Sequence, residues 1–95
     1  MKKLTEQKAK KRKIRFSLEA ADAKEIYVVG DFNSWKTGTH PMKNYGEGRW
    51  EKQLLLPEGR FEYKYLVDNQ WRADPNNDRS CPNCFGTHNS VLNVD

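Results

Sequence analysis

An all-β sandwich is the fold class this sequence predicts, and three observations predict it. Apolar residues recur with period 2 in several short stretches. Gly, Pro, Asn and Asp punctuate the gaps between those stretches, and no segment of the body carries a helical period. Some six or seven short strands with turn signals between them fit two packed sheets. The 95 residues hold a single modest core, since a chain of this size buries only about 60–65% of the surface it exposes when unfolded. That leaves little room for a two-lobed enzyme with a cleft. No apolar run approaches the roughly 20 residues needed to cross a bilayer, so membrane embedding is not expected.

Residues 1–12, MKKLTEQKAKKR, have one Leu and nothing to bury, so a disordered arm or a fraying helix is expected there, ahead of a domain over 13–95. Residues 1–15 carry eight Lys or Arg against one Glu, a charge of +7, while the remaining eighty carry nine basic and twelve acidic residues, a charge of −3. The basic character belongs to the arm and not to the body. Because the N-terminus is basic and lacks the apolar stretch of a secretory leader, the expected location is the cytoplasm.

From Lys13 onward, Ile14, Phe16 and Leu18 alternate with Arg15 and Ser17 as a half-buried strand does. Glu25–Gly30 (EIYVVG) reads as a second strand. A loop opens at Asp31-Phe32-Asn33-Ser34-Trp35 and runs through Gly38, Pro41, Gly46 and Gly48. Trp50–Leu56 is a third strand, although Lys52 falls on the same face as Trp50, Leu54 and Leu56, which implies either a snorkelling lysine or a register slipped by one. Pro57-Glu58-Gly59 turns the chain into Phe61–Val67, whose Phe61, Tyr63, Tyr65 and Val67 share a face opposite Glu62, Lys64 and Leu66. Asp68-Asn69 reverses it into a short strand near Trp71–Ala73. Asp74–Gly86 reads as an irregular loop, and Ser90–Val94 as the last strand.

Catalysis finds little support. His40 and His88 lie in expected loops outside any nucleophile or zinc-protease motif, Asp74 and Asp78 are loop acids of the kind that cap turns, and no glycine-rich phosphate loop exists. Cys81-Pro82-Asn83-Cys84, with His88, offers three metal ligands where a structural zinc site needs four, so a surface loop with two thiols, or one bridge, is the plainer reading. No cofactor is implied. Among the tryptophans, Trp50 begins a strand and reads as core. Trp35 and Trp71 sit beside turn residues, and spacing alone leaves two readings. They are lids folded over the sandwich ends, or exposed platforms on which a pyranose or a nucleobase can stack.

Gly30-Asp31-Phe32-Asn33-Ser34-Trp35, Leu56-Pro57-Glu58-Gly59, Glu62-Tyr63-Lys64-Tyr65, Val67-Asp68-Asn69-Gln70-Trp71, Asp74-Pro75 and Gly86-Thr87-His88-Asn89-Ser90 follow in order. Together they resemble the glycogen-binding domain of the AMP-activated protein kinase β subunit, in carbohydrate-binding module family 48, over roughly residues 13–95. The resemblance implies an immunoglobulin-like β-sandwich and a non-catalytic module for α-1,4-linked glucans. It implies that Trp35 and Trp71 stack on the sugar, that Lys64 and Asn89 hydrogen-bond its hydroxyls with Thr87 beside them, and that Phe85 takes the place of a protruding leucine. A module that docks a glucan-metabolising enzyme without touching sugar is the alternative. Nucleic acid enters only as a nonspecific partner of the basic arm. The Cys-Pro-Asn-Cys segment and the arm lie outside the shared pattern, and a kinase-scaffold role is not implied.

Overall fold

The computed structural model describes residues 11–95. Two antiparallel sheets face each other as an immunoglobulin-like sandwich. Its strands are β1 (Lys11–Glu19), β2 (Ile26–Gly30), β3 (Lys43–Asn44), β4 (Arg49–Pro57), β5 (Gly59–Val67), β6 (Gln70–Arg72), β7 (Ser80–Pro82) and β8 (His88–Val94), with one 3-10 turn at Asp31–Asn33. The smaller sheet has the order β1-β4-β3, and the larger has β2-β5-β8-β7, with β6 paired to β5. Among the described residues no helix is long and apolar enough to cross a membrane.

Alternation places the core as expected. Phe16 and Leu18 of β1, Val28 of β2, Trp50 and Leu56 of β4, and Tyr63, Tyr65 and Val67 of β5 are all buried in one cluster. The register of β4 is not slipped. Lys52 lies opposite Phe16 and is half-buried, as a lysine on the inner face at the rim of a sandwich is when its stem is covered. At the Asp68-Asn69 reversal both residues take positive φ, 46° and 69°. Both being left-handed marks a two-residue hairpin whose twist matches its flanking strands.

Three expectations need correction. Lys43–Asn44 is a strand inside the stretch read as a loop, Ser80–Pro82 is a strand inside Asp74–Gly86, and Lys11 and Arg12 belong to β1, opposite Pro57 and Leu56. The first two strands are two or three residues long and have no apolar alternation to read. They form because β4 and β8 present edges to pair with. The rest of the expected arm lies outside the described residues.

Candidate functional site

The outer face of the larger sheet carries the site, and β5 organises it. Strand β8 pairs with the first half of β5, from Gly59 to Tyr63, and β6 with its last three residues, Tyr65 to Val67. Lys64 therefore stands at the junction of the two, on the face opposite the buried Tyr63 and Tyr65. Trp71 lies across from Leu66 and shares that outer face, where cross-strand neighbours point the same way. Asn89 comes from β8, one step beyond the Tyr63–Ser90 pair.

Trp35 arrives from a loop. After β2 the chain passes close against β5 at Gly30, where a Cβ would collide with the Glu62 carbonyl and the Tyr63 side chain. It makes the 3-10 turn and then places both Ser34 and Trp35 in the left-handed region, φ 57° and 59°. Such a conformation in a tryptophan is strained and is held by its surroundings. The Trp35 backbone N–H donates to the Gly30 carbonyl at 2.9 Å, and its indole Nε1–H donates to Asp31 Oδ1 at 2.9 Å. The other Asp31 oxygen, Oδ2, accepts the Glu62 N–H at 2.7 Å and so moors the loop to β5.

All six residues singled out from the sequence, Trp35, Lys64, Trp71, Phe85, Thr87 and Asn89, line one cavity of about 670 Å³, joined by Asn83 and Cys84. The two indole centroids are 6.3 Å apart with planes inclined at 62°, so the rings form an angled corner and not a flat shelf. Trp35 is half-buried, Trp71 is 47% exposed and Phe85 85% exposed. An aromatic ring this open at a rim is uncommon in a chain with no use for it.

The polar residues form a connected set. Lys64 Nζ donates to Thr87 Oγ1 at 2.9 Å, which leaves two ammonium protons for a ligand. Thr87 Oγ1 also accepts from Asn83 Nδ2 at 2.8 Å and donates its proton to Asn83 Oδ1 at 3.2 Å, so its hydrogen bonds are made within the site itself. Asn89 is buried. Its Oδ1 accepts from Asn83 Nδ2 at 2.9 Å, and its Nδ2 donates to Glu62 Oε1 at 3.0 Å. One N–H and one lone pair of the amide remain. That hydrogen bond from Asn89, followed by one from Arg60, holds the Glu62 carboxyl below the usual carboxylate range.

Sequence reasoning passed over Asn83, although it fixes the turn that carries Phe85 and Thr87. Its Oδ1 accepts the N–H groups of Phe85 at 2.9 Å and Thr87 at 3.1 Å. An Asn just before a turn residue was the available signal. The remaining candidates scatter. Both cysteines are free thiols, and among the described residues no three His, Cys, Asp or Glu side chains group closely enough to hold a metal ion. His88 begins β8 and pairs with Pro82, and His40 packs against Phe32. Asp74 is buried under Tyr63 and Tyr65 and not paired with Asp78.

Residues 13–95 match the family described as the glycogen recognition site of AMP-activated protein kinase. The chain is 35% identical over 71 residues to the 5'-AMP-activated protein kinase subunit beta-2 of Homo sapiens, which covers 75% of this chain and 25% of that one. It is 41% identical over 54 residues to a 1,4-alpha-glucan branching enzyme of Xanthomonas campestris pv. campestris (strain 8004), covering 57% of this chain and 7% of the enzyme. Among solved structures, a maltogenic amylase from S. marinus superposes with a TM-score of 0.74 at 22% identity, over 87% of this chain and 13% of the amylase, a likeness of fold. The chain thus spans about a quarter of the kinase subunit it matches and a small fraction of the enzymes. With its sandwich and its matched span agreeing, the chain belongs to the family of glycogen-recognition domains of AMP-activated protein kinase.

Proposed function

We propose that the protein binds α-1,4-linked glucans of the glycogen or starch kind without acting on them chemically, through the cavity on the outer face of the larger sheet. The convergence of six residues from three separate stretches of the chain on that one cavity, two inclined indoles among them, carries the reading. An indole stacks on the C–H face of a pyranose by dispersion, and two rings set at an angle suit a chain that curves from one glucose to the next. The two free protons of Lys64 and the free N–H and lone pair of Asn89 then meet hydroxyls that both donate and accept. Phe85 projects from the rim as a wedge beside the chain. The carboxylates beside the cavity, Glu62 and Asp31, are engaged by Asn89, Arg60, Trp35 and the Glu62 N–H, and the matching family is a recognition site, which supports binding over bond cleavage. A cytoplasmic location suits the two free thiols.

The test is affinity electrophoresis in glycogen-containing gels, with calorimetry on a maltooligosaccharide, for the wild type, Trp35→Ala and Trp71→Ala. Each substitution is expected to weaken binding about fivefold to thirtyfold, since a lost aromatic stack costs on the order of 1–2 kcal/mol. Equal retention of all three would reject the site. Capture of a glucan-metabolising enzyme with no retardation by glycogen would replace sugar by protein as the ligand.

A further inference from the structure

We propose that Glu62 is the positioning residue of this site, setting Asn89 with its side chain and Trp35 with its backbone; the proposal rests on the glucan-binding reading above. Hydrogen-bond polarity determines the first arm. Asn83 Oδ1 is occupied by the N–H groups of Phe85 and Thr87, so only its Nδ2 is left to face Asn89. Asn89 must therefore turn its Oδ1 toward Asn83 and its Nδ2 toward β5. There the partner is Glu62 Oε1 at 3.0 Å, and a carboxylate can only accept. The chain of donors thus runs in one direction, from the Phe85–Thr87 turn through two amides to a fixed acceptor. Which edge of the Asn89 amide remains for a ligand is decided before any ligand arrives.

Glu62 is itself held in place. Its Oε2 accepts from Arg60 at 2.9 Å and from the Cys81 thiol at 3.4 Å, one from its own strand and one from β7. The second arm uses the main chain of the same residue. The Glu62 N–H donates to Asp31 Oδ2, and Asp31 Oδ1 accepts the indole N–H of Trp35. One residue of β5 thereby sets the orientation of a stacking ring on a loop and of an amide on β8, two elements that do not pair with each other. Preorganisation of this kind reduces the ordering cost of binding a flexible ligand.

The experiment is calorimetry with maltoheptaose on the wild type, Glu62→Ala, Glu62→Gln and Asp31→Ala, paired with ¹H–¹⁵N spectra of the Asn89 side-chain amide and the Trp35 indole. Glu62→Ala is expected to weaken binding roughly threefold to tenfold, the loss of one charge-assisted hydrogen bond. Glu62→Gln keeps an acceptor oxygen and should restore affinity to within about twofold. The Asn89 amide resonances should move in Glu62→Ala, and the Trp35 indole resonance in Asp31→Ala, with the Trp71 indole unmoved in both. Unchanged affinity in Glu62→Ala, or stationary Asn89 resonances, would overturn the proposal. If the wild type fails to bind maltoheptaose, the glucan reading falls, and the spectra alone decide whether Glu62 sets Asn89.

Discussion

Asp74 shows how one side chain ties the core to its covering loops. Its Oδ2 accepts the Tyr63 hydroxyl at 2.6 Å and the Tyr65 hydroxyl at 3.3 Å, its Oδ1 accepts the Asn76 N–H at 2.9 Å, and its own N–H donates to Ser90 Oγ at 3.0 Å. The two phenols lie deep enough that burial, reinforced by Asp74 itself, raises both well above their ordinary value of 10.0. The consequence is a stability that depends on pH in one direction only. In the folded state both phenols keep their protons above pH 10, while in the unfolded chain they ionise near 10, so the unfolded state binds fewer protons there and gains. Stability from this source is complete below about pH 10 and falls above it by about 1.4 kcal/mol per pH unit for each tyrosine. Urea denaturation between pH 9 and 12 should show that fall, and Tyr65→Phe should reduce its slope by one tyrosine's share. A variant with the wild-type slope would mean that Tyr65 ionises in the native sandwich.

Between β2 and β3 the chain makes few backbone pairs, and side chains hold it instead. Asn33 holds three partners: Oδ1 accepts the Gly30 N–H at 3.1 Å, while Nδ2 donates to the Val28 carbonyl at 3.1 Å and to His40 Nδ1 at 2.9 Å. The last bond requires an unprotonated Nδ1, and burial followed by the nearby Lys52 lowers the His40 pKa from 6.5, in the same sense. A histidine lowered in the folded state contributes stability above its unfolded value, which is lost as the pH falls through 6.5 and below. The urea midpoint of the wild type is therefore expected to drop between pH 7.5 and 5.5, and that of His40→Gln, which keeps an acceptor but cannot titrate, to drop less. Parallel drops would assign the effect to other groups. Elements of this kind also mark the limit of what sequence reveals. Strands β1, β4 and β5 are nine residues long, and their alternation states which face is inward. Met42 is as deep in the core as Leu56, yet it lies between a loop and the two-residue β3, and the Tyr27–Pro41 bridge and the Met42 N–H to Ile26 carbonyl bond bring it there. In the site, five of the residues that line the cavity, Trp35, Lys64, Trp71, Thr87 and Asn89, were legible through a shared motif order, whereas Asn83 and Cys84 fall outside it. The roles of Glu62 and Asp31 were not legible, because they are created by the β5–β8 register and by a turn that folds back on its own strand.

At the scale of the whole molecule, the basic run and the candidate site belong to different stretches of the chain. The candidate site belongs to the larger sheet, whereas the basic N-terminal run leads into β1 of the smaller one. Binding a neutral sugar and neutralising phosphates are then properties of different residues, and they respond differently to salt. A chain lacking residues 1–10 should bind glycogen within about twofold of the full chain, with little dependence on salt, since stacking and hydrogen bonds to hydroxyls release no counterions. Any affinity for RNA or DNA should weaken steeply with salt in the full chain and disappear in the shortened one. The position of the cut matters. Lys11 and Arg12 pair with Pro57 and Leu56, and Arg12 Nε donates to the Asp95 carbonyl at 2.8 Å, which joins the start of β1 to the end of the chain. Removing residues 1–12 is therefore expected to cost about 1 kcal/mol of stability through lost strand-end hydrogen bonds, while removing 1–10 leaves the urea midpoint in place. Loss of glycogen binding on removing 1–10 alone would show that the basic run reaches the sugar, and would extend the site beyond the outer face of the larger sheet.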